Sequence, residues 1–168
     1  MILPRLFIPV ETAAAETRVA ASPETVKKFI SLGCSVAIER GAGASAGFVD
    51  SAYSDAGAEV VAVGDGQAWS QADLLLCVQT PEPSNLAKLR RGAVVVGLLS
   101  PYSNEGLAAS LQAGGLSAMA LELLPRISRA QSADALSSQA NIAGYKAVLL
   151  GSAALDRYFP MLMTAAGT

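Results

Sequence analysis

The 168-residue chain contains no histidine. That absence excludes a Ser-His-Asp triad, a Cys-His dyad, a histidine-ligated zinc and a histidine proton shuttle. Cysteine is nearly absent as well. Cys34 and Cys77 stand far apart in apolar runs with no C-x-x-C spacing, so both are expected to be small core residues of a reduced, cytosolic protein rather than a disulfide. Charge is scarce, at 15% of residues with a net value of −2, and no basic block interleaves with aromatics. This argues against nucleic acid as a partner. Long apolar runs are missing too. The chain is 52% hydrophobic with a mean hydropathy of +0.40, yet no uninterrupted run approaches the roughly 20 residues of a membrane span. The best stretch, Ile142 to Leu155, is too short and carries Lys146. The N-terminus has prolines at 4 and 9 and no apolar segment followed by a cleavage site, so it is not read as a signal peptide. A soluble chain is expected.

What is present points to an α/β fold. At this length one domain is expected, burying roughly 70% of its unfolded surface without a disulfide or metal. β-rich runs at 5–10, 35–38, 59–63, 74–78, 93–98 and 117–121 alternate with helix-like segments at 22–32, 49–56, 85–89, 104–112 and 135–158. Strands separated by helices imply a Rossmann-like or flavodoxin-like parallel sheet with helices on both faces. Ser22, Pro23 and Glu24 form a helix start, while Gly33 and the pair Gly114-Gly115 mark stops. No internal repeat or low-complexity linker is present.

Three features carry candidate chemistry. Gly41-Ala42-Gly43 through Gly47 follows a strand like a phosphate-binding glycine loop. The spacing is G-x-G-x-x-x-G, however, and no long helix follows cleanly, so a flexible loop is the better reading. Arg18, after the first strand, either faces a cleft at the carboxyl edge of the sheet, where α/β proteins hold ligands, or pairs at the surface with Glu16 or Glu11. The densest feature is the segment from Arg126 to Ser138, which sets two arginines, one glutamine, one aspartate and four serines in thirteen residues at the mouth of the last helix. An arginine fork suits a pyrophosphate or a carboxamide oxygen, a glutamine amide matches a primary amide, and Asp134 gains from the helix dipole. The plainer alternative is that Ser132 or Asp134 caps the helix while Arg126 and Arg129 are solvated. The helix itself carries small residues at Ala140, Gly144, Ala147, Gly151 and Ala154. That face either packs tightly on the domain's own sheet or receives a second domain or subunit.

The run from Pro125 to Tyr145 resembles the signature of the alanine dehydrogenase/transhydrogenase N-terminal domain family, in particular the NAD(H)-binding alpha component of proton-translocating NAD(P) transhydrogenases. Ile8-Pro9-Val10-Glu11, Glu16-Thr17-Arg18-Val19-Ala20, Ser22-Pro23, Gly41-Ala42-Gly43 and the ending from Phe159 to Thr168 are similar to the same family. The resemblance covers residues 1–168 and implies NAD(H) as cofactor, held by Arg126, Ile127, Ser128, Gln131, Asp134 and Ser137. By this carry-over Arg126 holds the carboxamide or pyrophosphate region. Gln131 reaches toward the partner's side of the gap, and Asp134 and Ser137 orient the nicotinamide ring. It further implies direct hydride transfer from NADH to NADP⁺ on a beta component, coupled by a membrane component to proton translocation. Catalysis would need no acid/base residue and no metal. A homodimer, cytoplasmic and peripheral to the inner membrane through its partners, is the corresponding expectation. A second domain with the true glycine fingerprint is expected after Thr168, so this chain alone is expected to bind NAD weakly or not at all. The alternative is a non-catalytic interaction or dimerisation domain of a split or truncated subunit. Alanine dehydrogenase shares the arginine matching Arg18, but it uses a central-strand lysine and a histidine. Here the strand from Asp73 to Gln79 has no lysine, which argues against alanine chemistry.

Overall fold

The computed structural model describes residues 4–125 and 127–157. The chain divides into two compact units, Met1–Leu123 and Leu124–Thr168. The larger unit is built on six parallel strands, β1 (Arg5–Ile8), β2 (Ser35–Glu39), β3 (Glu59–Val61), β4 (Leu74–Gln79), β5 (Val94–Leu98) and β6 (Ser117–Ala120). Their order is β3-β2-β1-β4-β5-β6, so the winding reverses between β1 and β4. The expected parallel α/β sheet is present, in the six-strand order of a doubly wound fold.

Five helices, α1 (Pro23–Ser31), α2 (Asp50–Asp55), α3 (Gly66–Gln71), α4 (Pro83–Leu86) and α5 (Leu107–Gly114), belong to this unit. Strand alternation divides the core between the two faces. Leu6, Ile8, Val36 and Ile38 pack with Val26 of α1 and Tyr53 of α2 on one face. On the other, Phe7, Ala37, Leu75 and Val95 pack with Trp69 of α3 and Leu86 of α4. Phe7 and Trp69 meet edge to face, with ring centroids 5.1 Å apart, a favourable aromatic geometry. Cys77 is buried, as expected, and burial pushes its thiol up to about 12.

Local signals explain most boundaries. Ser22 Oγ accepts from Thr25 N at 3.2 Å with Pro23 in the first turn of α1, and Gly33 beyond its end has φ +89°. β1 ends two residues earlier than expected because Pro9 cannot donate to the ladder and Val10 N turns to the Glu39 carboxylate at 2.8 Å. α3 is a helix that the sequence pattern does not predict, since Gly64-Asp65-Gly66 reads as a turn. Asp65 instead caps a helix, its carboxylate accepting from Gln67 N at 2.8 Å and Ala68 N at 3.1 Å. α4 begins at Pro83 rather than Asn85, with the proline in its first turn. α5 begins at Leu107, three residues later than expected, because Asn104 N first donates to Ser100 O at 3.0 Å and closes a turn ahead of the helix.

Among its described residues the smaller unit has a 3₁₀ turn at Ser128–Ala133 and the helix α6 (Ala135–Ala153). None of its described residues is buried. α6 stops at Ala153, with Ala154 as its C-cap and 154–157 outside the helix, so it ends short of the expected 158. Tyr158 itself and the ending that carried part of the family resemblance lie outside the described residues.

Candidate functional site

Two places gather polar side chains. The first is the mouth of α6. Ala130 N donates to Ile127 O at 2.9 Å and Asp134 N to Gln131 O at 3.3 Å, closing the 3₁₀ turn. Asp134 then caps α6. Its carboxylate accepts from Ser137 N at 2.9 Å and from Ser137 Oγ at 2.6 Å, so of the two capping candidates it is Asp134, not Ser132, that serves. Pro125, Ile127, Ala130, Gln131, Asp134 and Ser137 line a concavity of about 400 Å³ that is open to solvent. Of the expected site residues, Ile127, Gln131, Asp134 and Ser137 are thus brought together. Ser128 is exposed and does not line the concavity, and Arg126 lies outside the described residues.

The chemistry of this concavity is divided. Pro125, Ile127 and Ala130 offer apolar surface suited to a flat ring, while Gln131 presents both an amide donor and an acceptor. Capping fixes the Asp134 carboxylate and the Ser137 hydroxyl against each other. The donor set fits the carboxamide end of a nicotinamide. A Cβ built on Gly43 would lie 2.6 Å from Tyr53 Cε2 and 2.9 Å from Phe48 Cβ. That glycine therefore admits the Tyr53 ring, whose hydroxyl donates to Ala21 O at 2.9 Å. Gly43 thus packs the loop at 41–47 against Tyr53, where the spacing suggests a flexible loop.

The second place is the winding reversal between β1 and β4, and here three carboxylates, of which only Glu39 escapes the sequence pattern, hold the carboxyl edge of the sheet. Glu39, at the end of β2, is 3% exposed and accepts from Val10 N at 2.8 Å, Gly64 N at 2.8 Å and Trp69 Nε1 at 3.2 Å. Glu11 accepts from Val78 N at 2.5 Å and Gln79 N at 3.0 Å at the end of β4, and burial raises its pKa above the ordinary 4.5. Glu16 is gripped by Arg18 and Gln79. The Arg18 side chain holds the Glu16 carboxyl down to about 2, and Glu16 in turn raises the Arg18 guanidinium. Of the two alternatives for Arg18, pairing with Glu16 is the one found, and it takes place at the carboxyl edge of the sheet. The signal available in sequence is the run of acids after the first strand. Their partners come from distant segments.

The small-residue stripe of α6 makes no close packing among the described residues, since Cβ atoms built on Gly144 and Gly151 would meet nothing within 4 Å. Ile142, Tyr145, Val148 and Leu150 are exposed around it. No described helix is long and apolar enough to cross a membrane.

Comparison with known proteins is consistent with this architecture. The chain is 45% identical over 169 residues to an NAD(P) transhydrogenase alpha subunit of Rhodospirillum rubrum, an alignment covering 98% of this chain and 44% of that protein. The solved structure of transhydrogenase from Sinorhizobium meliloti superposes with a TM-score of 0.87 at 45% identity, over 97% of this chain and 48% of that one. A solved L-alanine dehydrogenase superposes with a TM-score of 0.79 at 30% identity, over 89% of this chain and 40% of that one. The chain spans less than half the length of each. The family described as alanine dehydrogenase/PNT, N-terminal domain, matches residues 7–143, and this chain belongs to it.

Proposed function

We propose that the chain belongs to the NAD(H)-binding component of an NAD(P) transhydrogenase and that the mouth of α6 positions the nicotinamide of NAD(H). The observation that carries this reading is the convergence of Ile127, Gln131, Asp134 and Ser137 on one concavity, in a chain 45% identical to a transhydrogenase alpha subunit. When bound, NADH supplies a hydride, which passes to NADP⁺ held by a beta component. The chain's own work is positioning. Gln131 matches the carboxamide, Ile127 and Ala130 offer an apolar surface to the ring, and the Asp134–Ser137 cap holds the turn rigid. Arg126 is assigned to the carboxamide or pyrophosphate side by family resemblance. A ring held in the right orientation removes much of the entropic barrier to transfer, and the cofactor carries the chemistry. In this reading the larger assembly includes a membrane component that couples transfer to proton translocation, a homodimer of the alpha component, and attachment to the cytoplasmic side of the membrane through partners.

The test combines the chain with the remainder of the alpha component and the beta component, then follows hydride exchange between NADH and an NADP⁺ analogue. Gln131→Ala is expected to slow exchange by about 10²-fold with little change in protein stability, as misplacement of a reacting group does. Unchanged exchange in Gln131→Ala would remove the assignment. The chain alone is expected to bind NADH weakly or not at all, and micromolar affinity for the isolated chain would contradict the division of the cofactor site.

A further inference from the structure

At the carboxyl end of β5 a single peptide plane is held from both sides. The peptide joining Leu99 to Ser100 offers its carbonyl oxygen to Thr80 Oγ1, which donates to it at 2.7 Å. Its N–H donates to Oε1 of the Glu122 carboxylate. In a trans peptide these two groups point in opposite directions. Thr80 follows β4 and Glu122 follows β6, the two strands that flank β5, so the plane is gripped at opposite edges. The conformation imposed on it is unfavourable. Ser100 has φ +48°, and it and Ala15 are the non-glycine residues at positive φ among the described residues. There a side chain crowds its own backbone. Glu122 is incompletely satisfied as well, since Oε2 is buried and accepts nothing among the described residues. Buried acceptors without partners are costly, and a strained residue persists only where its surroundings overdetermine it.

Rotation of this one peptide relieves the strain. Turning the Leu99–Ser100 plane by about 180° carries the φ of Ser100 from +48° to about −130°, in the extended region open to any residue. The partners are exchanged at the same time. Ser100 N–H then meets Thr80 Oγ1, and a hydroxyl accepts as well as it donates. The Leu99 carbonyl then meets Glu122, and this contact decides the outcome, because an ionised carboxylate only accepts. We infer that the Leu99–Ser100 peptide is a two-position switch and that the Glu122 carboxylate is the latch holding it in the strained position. The switch bears on a cavity. Thr80 and Asn104 stand in the wall of a crevice of about 210 Å³ with Pro81, Leu86 and Leu107, and Asn104 N donates to Ser100 O at 3.0 Å. Both wall residues are thus tied to the switched dipeptide. A flip replaces the acceptor at Thr80 with a donor and changes the hydrogen-bonding character of that wall.

The experiment compares the full chain with its Glu122→Gln and Ser100→Gly variants by nuclear magnetic resonance. A glutamine amide can donate to Leu99 O, so Glu122→Gln releases the latch while keeping the shape of the side chain. The HN–Hα coupling of Ser100, which reports φ, is expected to move from its left-handed to its extended value in this variant. The flipped form is expected to rise at least about tenfold from a minor share of about 0.1–10%. Glycine tolerates positive φ, so Ser100→Gly is expected to lower the flipped share at least about threefold. That loss is read as weaker microsecond-to-millisecond relaxation dispersion at Ser103 and Asn104, whose N–H groups donate to Ser100 O. A Ser100 coupling unchanged by Glu122→Gln would overturn the inference, as would equal dispersion in the unchanged chain and Ser100→Gly. Should Glu122→Gln fail to fold, the dispersion comparison decides alone. Amide exchange along β5, as at Val95, is expected to be the same in all three chains. Faster exchange spread over β5 would mark general destabilisation and count equally against the switch. No cofactor enters these measurements, so their outcome is independent of the nicotinamide assignment.

Discussion

In the larger unit Phe7, Ile8, Tyr53 and Leu75 are all at 0% exposure beneath helices on the two faces of the sheet, whereas along α6 Ile142, Tyr145 and Leu150 stand 61, 70 and 59% exposed. Both regions are rich in apolar residues. They differ in how those residues are arranged around their elements. In β1 alternate residues serve opposite faces and each face meets helices, so burial is complete on both sides. In α6 apolar and small residues run all round the helix, a pattern suited to a helix covered on every side. The larger unit thus carries its own hydrophobic stabilisation, while the smaller one carries the proposed nicotinamide site at the mouth of a helix whose local stability rests on capping and propensity.

The sharpest way to break that comparison is to truncate one apolar residue in each region. Phe7→Ala is expected to cost about 3–5 kcal/mol in urea unfolding, because the Trp69 edge contact and both neighbouring strands lose their packing. Leu150→Ala is expected to stay within about 0.5 kcal/mol, as exposed substitutions do. A large loss at Leu150 would mean that α6 is covered in solution. Glycines give the next largest contrast, and here the two regions differ in sign. A Cβ on Gly97 of β5 would lie 2.5 Å from the Cys77 carbonyl oxygen of β4, beside the register shift between Leu76 and Gln79. Gly97→Ala is therefore expected to destabilise by about 1–3 kcal/mol through forced strand separation. Gly144→Ala meets nothing within 4 Å and is expected to raise helix content and stabilise by about 0.5–1 kcal/mol, which circular dichroism would follow. A destabilising Gly144→Ala would show instead that a close-packed surface approaches the stripe.

The smallest expected effect is on acid stability and is confined to the larger unit. Arg18 lowers Glu16 from 4.5 to about 2 in the folded chain. A depressed carboxyl contributes stability that is present above its unfolded pKa and is lost as pH falls between about 4.5 and about 2. Glu11 has the opposite sign, since burial raises its pKa, and it offsets part of that loss. Glu16→Gln is expected to flatten the acid limb of the urea midpoint against pH. The effect is modest because Arg18 is 39% exposed and water screens the pair. An unaltered acid limb would indicate that the Glu16 contacts do not persist in solution.

How much of this is legible in the residues depends on the distance over which each signal acts. All six strands and five of the six helices follow from alternation, caps and stops within a few residues, as with Ser22 and Gly33 at the ends of α1. α3 escapes such a reading because its cap, Asp65, sits between two glycines and looks like a turn until Trp69 is seen to pack on Phe7. At the candidate site, the cluster from Ile127 to Ser137 is readable because it is contiguous and because it resembles a known family. Ser128 is the exception, since the 3₁₀ turn leaves it off the concavity.

Residue chemistry by itself determined the class of the fold, the exclusion of histidine-dependent catalysis, and most of the places where helices start, since each of these depends on composition or on neighbours in the chain. Only the tertiary structure decided which acids are gripped and by what. Gln79 meets Glu16 across 63 residues of sequence and Glu39 meets Trp69 across 30, and those meetings exist because the winding order places the ends of β1, β2 and β4 side by side. A local pattern cannot encode that adjacency. It is produced by burying both faces of one sheet, which brings distant strand ends together and leaves their free backbone donors to be satisfied by whichever carboxylates lie within reach.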